Sequence, residues 1–105
     1  MYSIGLDEEL RQEIITILEK KQYHPIKQGT YFQTIGPRFE TKAEIRFYKA
    51  FFDLVGMTGS AEATLAQEVG IAFSMVAIVD NMGHGLGEPL TIEVSICWLK
   101  SWIEI

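Results

Sequence analysis

The chain is 105 residues long with 48% hydrophobic and 22% charged residues, the balance of one globular domain with enough apolar side chains for a core. Nine Lys and Arg against fourteen Asp and Glu leave a net charge of −5, which excludes the basic stripe of a nucleic-acid surface; Lys20, Lys21 and Lys27 are too few to make one. No apolar run approaches the ~20 residues that cross a bilayer, the start has neither half of an export signal, and a single Cys97 excludes an internal disulfide, so the expectation is a soluble, cytoplasmic protein.

Residues 7–22 predict the first element. Leu6, Leu10, Ile14, Ile17 and Leu18 share one helical face, Asp7, Glu8 and Glu9 open it, and Lys20 and Lys21 close it, as the helix dipole favours. Pro25 and Gly29 punctuate the next stretch, and residues 30–35, rich in β-branched and aromatic side chains, predict a strand stopped by Gly36-Pro37. Thr41-Lys42-Ala43-Glu44 is a capping box, after which Ile45, Tyr48 and Phe52 recur at helical spacing. Residues 53–57 predict a short strand, and residues 60–69 a helix that Gly70 ends as a C-terminal cap. The apolar run 71–79 predicts a strand buried on both faces. Gly83, Gly85, Gly87 and Pro89 mark a loop, and Leu90 onward, with Val94, Trp98, Trp102 and Ile105 on one side, predicts a closing helix.

Strands alternating with helices imply right-handed parallel crossovers. The expected fold is therefore α/β, a three-layer arrangement with a mostly parallel sheet flanked by helices, in one domain over residues 1–105. Ligands in such sheets bind at the carboxyl ends of the strands. Phe39, Glu40, Thr58 and Asn81 each follow a predicted strand, which places them on one rim.

The run Gln33-Thr34-Ile35-Gly36-Pro37-Arg38-Phe39-Glu40-Thr41, with Val55-Gly56-Met57-Thr58 and Asp80-Asn81 after it, resembles the purine nucleoside phosphorylase and methylthioadenosine phosphorylase family. The resemblance extends over residues 6–96, strongest over 28–82, and implies a nucleoside phosphorylase-like partial domain, the C-terminal half of such an enzyme. It also implies roles. Phe39 and Glu40 line the base and sugar pocket, Met57 packs on the ribose, Thr58 contacts phosphate, and Asn81 hydrogen-bonds the purine. The implied reaction is displacement of a purine from C1′ of a nucleoside by inorganic phosphate, the co-substrate, giving free base and ribose 1-phosphate with no other cofactor and no metal. An oxocarbenium-like transition state needs an anion at the anomeric carbon and a donor for the departing base, and the Asn81 amide suits the second, catalytic, task.

Glu40 bears on base choice. A 6-oxopurine offers N1–H as a donor to a carboxylate, whereas adenine presents a lone pair there, so Glu40 favours oxopurines. Strand alternation lets only one of Asp80 and Asn81 point into a pocket, and an inward Asp80 would restore adenine. The resemblance also exposes gaps: the family's glycine-rich phosphate loop and its Arg-His phosphate contact have no counterpart in these residues. Ile92, where many members carry a histidine, suits a 5′-methylthio group and so methylthioadenosine or a related substrate. The expected partners are a purine nucleoside and phosphate, with either a homo-oligomer or a separately encoded N-terminal half completing the site. The alternative is a catalytically inactive fragment serving as a binding or interaction module. His84, in its glycine loop without a second ligand nearby, reads as neither metal-binding nor catalytic.

Overall fold

A computed structural model describes residues 6–87. The predicted closing helix from Leu90, with Trp98 and Trp102, and the Ile92 position lie outside the described residues. The elements run α1 (Glu8–Lys20), β1 (Tyr31–Gln33), α2 (Lys42–Lys49), β2 (Leu54–Gly56) and α3 (Gly59–Glu68). This is a small α/β arrangement with a two-stranded parallel sheet. The described residues divide into two compact units, one of residues 6–35 and 52–76, the other of 36–51 and 77–87.

In the first unit, α1 starts where the Asp7 carboxylate accepts from the Leu10 amide at 2.8 Å, leaving Glu8 and Glu9 in the first turn. It ends in a Schellman turn: the Tyr23 amide donates to the Leu18 carbonyl and the Gln22 amide to that of Glu19, at 3.0 and 2.9 Å. Gln22 takes the left-handed conformation there, with φ of 64°. The inward face is rotated from the expected one. Ile15 is buried, while Ile17 is 53% exposed, because it lies two residues and so about 200° round the helix from Ile15.

The Asp53 carboxylate accepts from the Thr30 amide at 2.7 Å and the Asp53 amide donates to the Thr30 carbonyl at 2.9 Å, starting the parallel ladder. Its register pairs Tyr31 with Leu54, Phe32 with Val55 and Gln33 with Gly56. Phe52, expected on the second helix, lies beyond it and stacks on Phe32 at 4.6 Å between ring centres. After β2, α3 closes in a second Schellman turn, Ile71 amide to Ala66 carbonyl and Gly70 amide to Gln67 carbonyl, with Gly70 at φ of 71°.

Residues 71–79 overturn the expectation of a buried strand. They have no regular secondary structure, and Ile71, Val76, Ile78 and Val79 are all more than half exposed. A parallel strand exists only through a neighbour that takes its amides and carbonyls, and apolar content supplies burial, not that neighbour. Among the described residues its backbone is tied instead at its start, by the Ile71 amide donating to the Ala66 carbonyl at 2.9 Å, and by the Asp7 amide donating to the Phe73 carbonyl at 2.7 Å.

In the second unit, α2 carries the predicted capping box: the Thr41 hydroxyl accepts from the Glu44 amide at 3.2 Å, and a Glu44 carboxylate oxygen accepts from the Thr41 amide at 2.7 Å. Ile45 is the buried apolar side chain of this unit among the described residues.

Candidate functional site

Met57 and Thr58 belong to the first unit, immediately past the carboxyl end of β2. Thr58 is the N-cap residue of α3, yet its side chain makes no capping bond. Side chains of β1 do that work. The Gln33 amide oxygen accepts from the Ser60 and Ala61 amides at 2.6 and 3.2 Å, and the Tyr31 hydroxyl accepts from the Gly59 amide at 3.2 Å. Three successive donors of a helix N-terminus, the kind of group that binds anions, are therefore already engaged. Thr58 is exposed, so what it offers a phosphate is its hydroxyl.

Two glycines make this packing possible. A Cβ on Gly56 would stand 2.5 Å from the Tyr31 hydroxyl oxygen and 2.9 Å from its ring, and one on Gly59 would meet the Met75 sulfur at 2.5 Å. The sequence pointed to Thr58 as a phosphate contact and gave Gln33 no role. The signal was the register, since Gln33 faces Gly56 across the ladder and so lies at the edge from which α3 departs.

Phe39, Glu40, Asp80 and Asn81 belong to the second unit. The segment before α2 is held from several sides. Arg38 forms a two-pronged ion pair with Glu44 at 2.9 and 2.8 Å and donates to the Phe39 carbonyl at 3.1 Å. The Arg38 hydrogen bond, helped by the Thr41 amide, lowers the Glu44 carboxyl to a pKa of about 2. His84 reaches this segment from the loop: its Nδ1 lies 2.7 Å from the Glu40 carbonyl oxygen, and its ring meets that of Phe39 edge to face at 6.3 Å.

Asp80 and Asn81 follow no strand, so the alternation that would point one of them inward does not apply. Their side chains touch each other instead. The Asn81 amide nitrogen donates to the Asp80 carboxylate, while its oxygen accepts from the Gly83 amide at 2.9 Å in an Asx turn. Those two partners fix which end of the amide is which, and one of its two N–H groups remains beyond the Asp80 bond. Chain continuity from Asn81 through Gly83 to His84 then joins this pair to Phe39 and Glu40.

An open concavity along α1, lined by Glu8, Glu9, Gln12, Glu13, Thr16 and Ile17, includes none of the candidate residues. Its three carboxylates disfavour an anionic co-substrate. Among the described residues no group of three or more His, Cys, Asp or Glu is placed to hold a metal ion, and no helix is long and apolar enough to cross a membrane.

A sequence profile described as the phosphorylase superfamily matches residues 1–99. The chain is 48% identical over 83 residues to a protein of Archaeoglobus fulgidus named "Probable 6-oxopurine nucleoside phosphorylase", an alignment covering 78% of this chain and 34% of that one. It is 47% identical over 87 residues to the 6-oxopurine nucleoside phosphorylase of Pyrococcus furiosus, covering 79% and 32%. A Methanosarcina acetivorans protein named "Probable S-methyl-5'-thioinosine phosphorylase" is 42% identical over 78 residues, covering 74% and 30%. The chain thus spans about a third of the length of these curated relatives.

Proposed function

The chain belongs to the phosphorylase superfamily, and on that premise we propose that it supplies the base-recognising part of a purine nucleoside phosphorylase acting on a 6-oxopurine nucleoside or its 5′-methylthio analogue. The observation that carries this reading is the second unit, where Phe39, Glu40, Asp80 and Asn81 are tied into one network through the loop that holds His84. Phe39 packs against the nucleoside and Glu40 accepts N1–H of the oxopurine. The remaining N–H of Asn81 donates to the base as negative charge collects on N7 and O6, with Asp80 holding the amide in register. Stabilisation aimed at charge that develops only in the transition state is what accelerates the step. Met57 takes the ribose and the Thr58 hydroxyl takes phosphate, the co-substrate; no other cofactor enters. The names of the relatives, a 6-oxopurine nucleoside phosphorylase and a methylthioinosine phosphorylase among them, support a 6-oxo base with either 5′ group.

Because the chain spans about a third of those relatives, the remaining phosphate-binding groups come from polypeptide outside these residues, as a separately encoded N-terminal half or through a homo-oligomer, in the cytoplasm and completing a three-layer sheet. The test is phosphorolysis of inosine, guanosine and their 5′-methylthio analogues by the purified chain, alone and with the N-terminal two thirds of a relative added. Weak or undetectable turnover alone and a gain on addition are expected. Robust turnover by the chain alone would overturn the division of labour, and no turnover together with no purine binding would overturn the assignment.

A further inference from the structure

We propose that His84 is the positioning residue of the base-recognition segment, its Nδ1–H holding the Glu40 carbonyl while its ring abuts Phe39. The inference rests on the base-recognising role proposed for those two residues. A carbonyl oxygen only accepts, so the 2.7 Å contact requires the proton on Nδ1, and the hydrogen bond selects that tautomer. The neighbouring carbonyl is held too, by Arg38 on Phe39 at 3.1 Å. Two successive carbonyls gripped by separate side chains fix the two peptide planes that flank the Glu40 Cα, and with them the direction in which the Glu40 side chain leaves the backbone.

The glycine loop is built to deliver this imidazole. Gly83 and Gly85 have φ of 77° and 86°, the left-handed region that favours glycine. A Cβ at Gly83 would stand 3.0 Å from Ile45 Cδ1, and one at Gly85 3.2 Å from Lys42 Cγ, so the loop lies directly on α2. The Asx turn from Asn81 to Gly83 sets its entry. His84 is thereby also the link through which the Asn81 turn and the Phe39–Glu40 segment keep a fixed relation, so it serves the donor and the acceptor of the purine together.

The experiment uses the full chain with two variants. H84N places an amide N–H where Nδ1 was, and H84F keeps a ring against Phe39 without a donor. Imidazole ¹⁵N spectra read the tautomer, hydrogen exchange reads the Thr41 amide at the end of the held segment, and calorimetry measures hypoxanthine and adenine. The Nδ1–H tautomer is expected, with H84F losing about tenfold in hypoxanthine affinity, the worth of one hydrogen bond, narrowing the preference over adenine and speeding Thr41 exchange, and with H84N retaining most of all three. An Nε2–H tautomer, or H84F matching the unaltered chain in preference and exchange, would overturn the proposal. If the unaltered chain binds neither purine, the base-recognition reading itself fails, and an unchanged Thr41 exchange in H84F would then reject the His84 tie separately.

Discussion

Removing Gln33 should destabilise α3 more than removing Thr58, although Thr58 occupies the N-cap position. The Gln33 amide oxygen accepts two bonds from Ser60 and Ala61, whereas Thr58 makes no capping bond. Loss of an N-terminal cap costs about 1 kcal/mol, within a range of roughly 0.5–2. Ser60 and Ala61 are exposed, so water recovers part of the loss and Gln33→Ala should lie near the middle of that range. Thr58→Ala removes an exposed side chain without a bond and should fall within about 0.5 kcal/mol of zero. Urea unfolding followed by circular dichroism separates the two: with a slope of roughly 1–3 kcal/mol per molar, 1 kcal/mol moves the midpoint by about 0.3–1 M. Gln33→Glu gives a third point, since a carboxylate in the same place gains from the helix dipole and should hold or raise the midpoint. A Thr58→Ala loss equal to or larger than that of Gln33→Ala would refute the reasoning. The same pair bears on function, because a Thr58→Ala chain of unaltered stability that binds phosphate less well assigns the hydroxyl to the ligand.

Gly56→Ala should cost about 1–3 kcal/mol, the range for overpacking, since its Cβ would meet the Tyr31 hydroxyl oxygen at 2.5 Å and displace it from the Gly59 amide; thermal unfolding measures it, and a neutral result would show that Tyr31 moves freely. Gln22→Gly should stabilise by roughly 0.5–1 kcal/mol, because a non-glycine residue at φ of 64° carries a cost that glycine escapes; a lower melting temperature would contradict this. Glu44 has its carboxyl lowered from 4.5 to about 2 by Arg38, so its contribution to α2 is present above about pH 4.5 and is lost as pH falls toward 2; carboxyl-detected NMR titration should show this, with Arg38→Ala returning the titration upward. Glu40→Ala should erase most of a preference for hypoxanthine over adenine that a hydrogen-bonding site can raise to as much as ~10⁴; calorimetry giving an unchanged preference would remove Glu40 from the site.

What was legible in the sequence is what is decided within a few residues. The Thr41–Glu44 capping box, the acidic opening of α1 and the Gly70 stop all stand as read, because each is a backbone group meeting a side chain or a turn at most five positions away. Side-chain direction was less legible. Ile15 rather than Ile17 is buried because five apolar positions over thirteen residues define a face only to within about one residue's rotation, roughly 100°. Gln33 escaped notice because its partners are 27 and 28 residues away and depend on strand register. His84 escaped for the same reason, with its partner 44 residues away.

The run 71–79 marks where composition ceases to decide structure. Its apolar content is that of an interior strand, but interior strands are made by neighbours on both sides, and the two-stranded sheet described here ends at β1 and β2. The proposed chemistry divides between the two units. The groups assigned to the purine are tied to one another within residues 36–51 and 77–87, whereas at the phosphate position the amides of α3 are taken by Tyr31 and Gln33, leaving the Thr58 hydroxyl. One hydroxyl does not balance a phosphate's charge. Base recognition without efficient turnover is therefore the behaviour expected of this chain on its own, and binding of hypoxanthine in the absence of phosphorolysis is the result that distinguishes it from a complete enzyme and from an inert fragment alike.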